Sequence, residues 1–225
     1  MDLVTIKEVK NRLGGTVNDV ALATVAGALR RFFRRRNVPL SGLEFRVAVP
    51  VNVRAADELH ALGNRTSVWL TSLPVSERDP RRRLAQVCAI TASLKRGAVA
   101  GTDVLMRLAD WTGPAGVALG VRLAERMSPY NLIVTNVPGP QFPLYMLDAR
   151  LLHAYPLVPL FENQGLGIAL FSYDGQLCWG LNADGDLVPD LHLLANDIAE
   201  SFAELQAAAG GTVRAPKPAR RSGKR

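Results

Sequence analysis

The 225-residue chain is poor in the side chains on which much enzyme chemistry depends: two cysteines, three histidines and 6% aromatic residues. Cys88 and Cys178 stand far apart, without CxxC or Cys/His spacing. Neither a zinc site nor a disulfide framework is expected, and both read as buried thiols of a reducing compartment. His60 falls in a polar loop, His153 in a strand and His192 early in the last helix. None adjoins a second histidine or a GxSxG nucleophile, so each reads as structural or exposed. GxxxxGK[ST], a strand-linked GxGxxG and HExxH are also missing, which leaves no mononucleotide, dinucleotide or zinc-protease signature. Long apolar runs are absent, because Thr24, Gly27, Arg30 and similar residues break each one below the roughly 18 residues of a membrane-spanning helix. Residues 1–13 mix Asp2, Lys7, Glu8, Lys10 and Arg12 into their apolar positions, which is no signal-peptide core. A cytoplasmic location is expected, with peripheral contact to membranes or lipid inclusions left open.

What is present is enough to build a core. With 48% hydrophobic residues, the chain suits one large or two small domains. The net charge of +7 suggests an anionic partner until it is located. Arg214, Lys217, Arg220, Arg221, Lys224 and Arg225 supply six of those charges without one acid, so residues 1–209 carry only +1. No nucleic-acid partner is expected. The division reads as a folded body over 1–209 and a basic, disordered tail over 210–225, which is either simply solvated or loosely attracted to anionic lipid headgroups.

Thr16 to Arg36 places Val20, Val25, Leu29 and Phe32 near one face at helical spacing, with Thr16 and Asp19 set as N-cap and N3 partner. Its end gathers Arg30, Arg31, Arg34, Arg35 and Arg36, which suits the negative end of a helix dipole. Residues 43–53 and 66–73 alternate as strands. Asp79-Pro80 opens a helix to about Lys95, and two shorter helices are expected near 103–111 and 115–126. Strands follow over 132–136, 149–157, 165–173 and 177–183, with Asp174-Gly175 as a tight hairpin between the last two. An amphipathic helix over 189–208 closes the body. Strands and helices do not alternate one for one, so the expected fold is α/β with a mixed sheet flanked by helices.

Two polar runs stand out, Thr135-Asn136-Val137-Pro138-Gly139-Pro140 and Glu162-Asn163-Gln164-Gly165-Leu166-Gly167. Pro138 and Pro140 fix their own φ and push the preceding residues towards extended conformations. That leaves Asn136 at a strand end, where its amide points into a cleft or the run is simply a rigid turn.

With Gly14-Gly15-Thr16-Val17-Asn18-Asp19-Val20, Val49-Pro50-Val51-Asn52-Val53-Arg54 and Gly63-Asn64-Arg65, these runs form five ordered landmarks between about Val9 and Ala208. Together they resemble the C-terminal half of the bacterial wax ester synthase/diacylglycerol O-acyltransferase family. The resemblance implies a lobe of the chloramphenicol acetyltransferase-like and condensation-domain fold, in which two lobes enclose a tunnel where acyl-CoA meets an alcohol. The implied reaction is transfer of a long-chain acyl group to diacylglycerol or a fatty alcohol, in triacylglycerol or wax ester synthesis, with acyl-CoA as substrate and no cofactor. The family's catalytic run, His-His-x-x-x-Asp-Gly, belongs to the N-terminal lobe and occurs nowhere in these 225 residues. No catalytic residue is therefore assigned here. The resemblance places Asn18 and Asp19 at the start of the first long helix, and Asn136, Pro138, Gly139, Asn163, Gln164 and Gly165 towards the lobe interface. The partner it implies is an N-terminal lobe supplied by a separate chain, beside acyl-CoA and neutral lipid. The other reading is a non-catalytic module, left from a truncated acyltransferase, that binds lipid, acyl-CoA or a protein. An oligomer building a site from His60, His153 or His192 is a third.

Overall fold

A computed structural model describes residues 1–52, 66–96, 130–160 and 164–210. Arg54, His60, Asn163, the Gly63-Asn64-Arg65 landmark, the two short helices expected within 103–126, and residues 211–225 lie outside the described residues.

The first helix, α1 (Leu3–Leu13), is one the sequence reading passed over. Asp2 caps it, its Oδ1 accepting from the Val4 amide at 2.9 Å, and Gly14 ends it at φ +90°. Leu3, Ile6 and Val9 form its buried stripe. Helix α2 (Val17–Arg35) begins as predicted, with Thr16 and Asp19 in a reciprocal capping box. Its buried residues wrap nearly all the way round between Asp19 and Arg30, a wider burial than a single face. Small residues permit this: Ala21, Ala23, Ala26, Gly27 and Ala28 let neighbouring elements approach on several sides. A Cβ at Gly27 would collide with Ser201 and sit 2.6 Å from the Arg83 guanidinium. Residues 80–96 form α3, opened by Pro80 and capped by Asp79 Oδ1, which accepts from the Arg81 amide at 2.8 Å. Helix α4 (Leu191–Ala208) follows the strands and lies antiparallel against α2, as Arg31 meeting Glu204 and Arg36 meeting Asp190 require.

Strands β1 (Phe45–Asn52), β2 (Thr66–Leu73), β3 (Leu132–Pro138), β6 (Leu166–Tyr173) and β7 (Gln176–Ala183) form one five-stranded sheet in the order β2-β1-β3-β6-β7. The pairs β1–β3 and β3–β6 are parallel and the outer pairs antiparallel. This is the mixed sheet flanked by helices that the uneven alternation of elements predicts. A separate two-stranded ribbon joins β4 (Tyr145–Met146) to β5 (Ala149–Arg150). The period-2 alternation of strands sets the layers. Val47, Val49, Leu132, Val134, Ile168, Leu170 and Leu177 enter one core with Val20, Leu22, Leu194 and Leu205 of the helices. Their neighbours Ala48, Ile133, Ala169 and Cys178 face the other way.

One expected strand is corrected. Residues 149–157 do not form a strand: only Ala149 and Arg150 pair, and 151–160 run without regular structure. Pro156 and Pro159 have no amide proton to give a ladder. The carbonyls of this segment are taken by side chains instead, Leu151 O by the Tyr173 hydroxyl (3.0 Å) and Val158 O by Asn182 Nδ2 (2.6 Å).

Candidate functional site

Asp19 is only 3% exposed, and both its oxygens are committed within the fold. Oδ2 accepts from the Thr16 amide and hydroxyl, each at 2.8 Å, and Oδ1 accepts from the Thr91 hydroxyl of α3 at 2.7 Å. A helix cap thus doubles as a brace between α2 and α3. Gly15, at φ +88°, brings the chain so close that a Cβ would lie 2.6 Å from Cys88 Sγ. Burial, and next to it the Asp19 charge, push the Cys88 thiol up, so it stays protonated at neutral pH. Asn18 is half-buried, and among the described residues its side chain makes no hydrogen bond.

The Asn136–Pro140 run leaves the end of β3 and is fastened to the β6–β7 hairpin. The Gly139 amide donates to Ser172 O (2.9 Å) and Ser172 Oγ (3.2 Å), and Asp174 N donates to Pro140 O (3.1 Å). A side chain at Gly139 would strike the Phe171 ring and the Ser172 carbonyl, so glycine is required for close approach here. Asn136 is half-buried and pairs in register with Leu170, while Pro138 is exposed. Gln164 is buried and Gly165 O accepts from the Asp184 amide at 3.1 Å, both at the entry to β6. Leu170, the partner of Asn136, lies five residue steps along the chain from Gly165. At about 3.3 Å per residue that is roughly 17 Å. The two polar runs therefore sit at opposite ends of one strand and form no single cluster.

A third feature was not foreseen. Of fourteen exposed large hydrophobic residues among the described residues, nine fall within 142–157: Phe142, Leu144, Tyr145, Met146, Leu147, Leu151, Leu152, Tyr155 and Leu157. Leu147, at the tip of the ribbon, is 96% exposed and held at φ +53°, a conformation that costs a leucine on the order of 1 kcal/mol. The backbone beneath is firmly held. Buried Tyr173 accepts from the Leu144 amide (2.7 Å) and donates to Leu151 O, Arg150 pairs with Asp174 (2.6 Å), and Pro156 crosses so close over Gly180 that any Cβ there would collide with its carbonyl. An anchored backbone with outward apolar side chains is a surface arranged to meet something. The sequence signal was the apolar run itself, which equally describes a buried strand.

Among the described residues, no three histidine, cysteine or acidic side chains come together to hold a metal ion. His153 is exposed with its ring near that of Tyr155 (ring centroids 5.9 Å), and His192 lies exposed on α4. No described helix is long and apolar enough to cross a membrane.

Comparison with known proteins bears on this geometry. Residues 62–206 match the family model described as the WS/DGAT C-terminal domain. A Mycobacterium tuberculosis protein assigned as a diacylglycerol O-acyltransferase is 35% identical over 212 residues, covering 91% of this chain and 42% of its own length. Another from that organism is 32% identical over 208 residues, covering 91% of this chain and 45% of its own. The wax ester synthase/diacylglycerol acyltransferase of Marinobacter aquaeolei superposes with a TM-score of 0.72 at 28% identity, over 93% of this chain and 48% of that one. The first condensation domain of the CDA synthetase, at 15% identity and a TM-score of 0.53 over 92% of this chain and 43% of that one, shares the fold. The chain spans less than half the length of the relatives it matches.

Proposed function

Since the chain belongs to the wax ester synthase/diacylglycerol acyltransferase family, we propose that it is the C-terminal half of an O-acyltransferase moving a long-chain acyl group from acyl-CoA to diacylglycerol or a fatty alcohol. The observation that carries this reading is the anchored, exposed apolar surface over 142–157. A relative more than twice as long has a second half to pack, and this surface supplies a place for it. On this reading the partner half brings the histidine that deprotonates the acceptor hydroxyl. The alkoxide attacks the thioester carbonyl, and CoA leaves as its thiol. Asn136, Pro138 and Gly139 towards one end of β6, and Gln164 and Gly165 at the other, shape the path along the interface, a role the family resemblance extends to Asn163. Asp19 holds the start of α2 in place for it, and Asn18 stands beside it in the same first turn. Acyl-CoA and neutral lipid are the substrates, and no cofactor is called for. Residues 1–209 act as the lobe and 210–225 as a basic extension, with contact to a membrane or lipid inclusion confined to its periphery. Asp148 beside Leu147 argues for a protein partner on the ribbon over an anionic lipid surface.

One observation favours a second reading, a non-catalytic binding module. Both oxygens of Asp19 and the Gly139 amide are already bonded within the fold, so neither of these landmarks offers a catalytic group. The test is to mix the full chain with the N-terminal half of a family relative and measure CoA release from long-chain acyl-CoA with diacylglycerol or fatty alcohol. Release by the mixture alone is expected. Leu147→Asp should weaken association about 30-fold, from the roughly 2 kcal/mol that burial of one leucine contributes, while leaving the fold intact. Turnover by the chain alone, or unchanged association of the leucine variant, would defeat the proposal. A tight but inactive complex would favour the binding module.

A further inference from the structure

We propose that the last turns of α2 and the loop entering α3 form a binding site for a phosphate group, gripped by Arg30, Arg34 and Arg78. Helical spacing sorts the arginines of α2 into two stripes. Arg31 and Arg35 face α4 and are matched there, Arg31 by Glu200 (2.7 Å) and Glu204 (2.6 Å), Arg35 by Asp197 (2.7 Å). Arg36 pairs with Asp190 at 2.5 Å. Arg30 and Arg34, four residues apart on the other stripe, form no ion pair among the described residues. They line an open cavity of about 490 Å³ with Arg78, Ser41 and Ser76.

Arg30 is only 9% exposed, and its Nη1 donates to the Ser76 carbonyl at 2.8 Å, which fixes the guanidinium at the cavity wall. Arg34 and Arg78 are exposed, and among the described residues neither makes a hydrogen bond or ion pair. Burial first, and after it the charges of Arg78, Arg34 and Arg83 opposed by Glu77, push the Arg30 guanidinium down. Arg83 is spoken for by Glu204, Ala23 O and Glu77 O. A helix C-terminus contributes roughly half a negative charge, against three cations and one carboxylate. About one and a half positive charges remain, which an anion would neutralise. Guanidinium forks and hydroxyl groups are the donors that match phosphate oxygens, so the ligand class is a phosphomonoester or phosphodiester, supplied by a soluble phosphoanion or a lipid headgroup.

The experiment is a titration of the full chain, at about 0.15 M salt to screen diffuse attraction, with three probes: inorganic pyrophosphate, coenzyme A, and phosphatidylcholine vesicles containing phosphatidylglycerol. Saturable binding to at least one is expected, reduced at least tenfold in Arg34→Gln/Arg78→Gln and unchanged in Lys7→Gln/Lys10→Gln, which removes the same charge from α1. Binding of pyrophosphate or coenzyme A alone identifies a soluble ligand, and binding of vesicles alone a headgroup; either supports the site. Equal losses in both double variants, or no saturable binding by any probe, would overturn it. The readout is binding, so it stands apart from acyl transfer: an inactive complex that still takes up pyrophosphate keeps this site while removing the proposed reaction.

Discussion

Asp19 shows how much one side chain carries. It closes the α2 capping box and accepts the Thr91 hydroxyl, all at 3% exposure. Replacing it with alanine removes a cap worth about 1 kcal/mol and a buried charged hydrogen bond worth about 1.5–3, so a loss of about 3 kcal/mol is expected in urea unfolding. Thr91→Val should cost less, about 1 kcal/mol, because Asp19 keeps its two bonds to Thr16. The same carboxylate acts on Cys88. With that thiol pushed up by burial and then by Asp19, the unfolded thiol ionises first as pH rises, so the fold loses stability through the ordinary thiol range and above. In Asp19→Asn the Cys88 thiol should react with a disulfide reagent at lower pH than in the parent chain. An unchanged reactivity profile would mean that burial alone governs the thiol.

At the scale of elements, the clasp between α2 and α4 separates strong from weak ion pairs. Arg35 grips Asp197 with two bonds, 2.7 and 2.8 Å, and Asp197 is 4% exposed, whereas Glu200, opposite Arg31, is 60% exposed. Arg35→Ala strands a buried carboxylate and should cost about 2 kcal/mol, reduced from the fully buried case because Arg35 itself is partly solvated. Arg31→Ala should cost under about 1 kcal/mol by thermal unfolding. Equal losses would show that burial of the acid is not the deciding quantity. The start of α2 was legible in the sequence because a capping box is a local signal, complete within Thr16 to Asp19. The Asp174-Gly175 hairpin was legible for the same reason, both residues lying at positive φ. Helix α1 was missed because charged residues dilute its stripe of Leu3, Ile6 and Val9. The run over 149–157 misled because apolar alternation reports that a surface is covered, never by what. Arg30 and Arg34 were visible within the arginine cluster, but the two stripes separate only once α4 is in place, and nothing in the sequence pointed to Arg78.

For the whole molecule, the family and the mixed sheet were readable from ordered landmarks, while the spacing of the polar runs was not. No sequence pattern states that Asn136 lies five residues along β6 from Gly165. The sheet also joins distant stretches of chain. Val47 pairs with Leu132, and the lead-in to α1 reaches across to β7, where Leu177 N donates to Met1 O (2.7 Å) and Leu3 N to Gly175 O (2.9 Å). The hairpin β6–β7 and the β1–β2 pair draw on nearer residues and have the smaller loop-closure cost. Refolding from urea should accordingly be slow, in the millisecond-to-second range of topologies rich in distant contacts, and a microsecond phase carrying the full amplitude would contradict this. The parallel centre of the sheet has a further consequence for synthesis on the ribosome. Residues 1–52 can place helices early, but β1 gains its inner neighbour only after residue 132 has emerged, and the first residues of the chain gain theirs only after residue 177. Met1 and Leu3 therefore stay without their strand partners until β7 has been made.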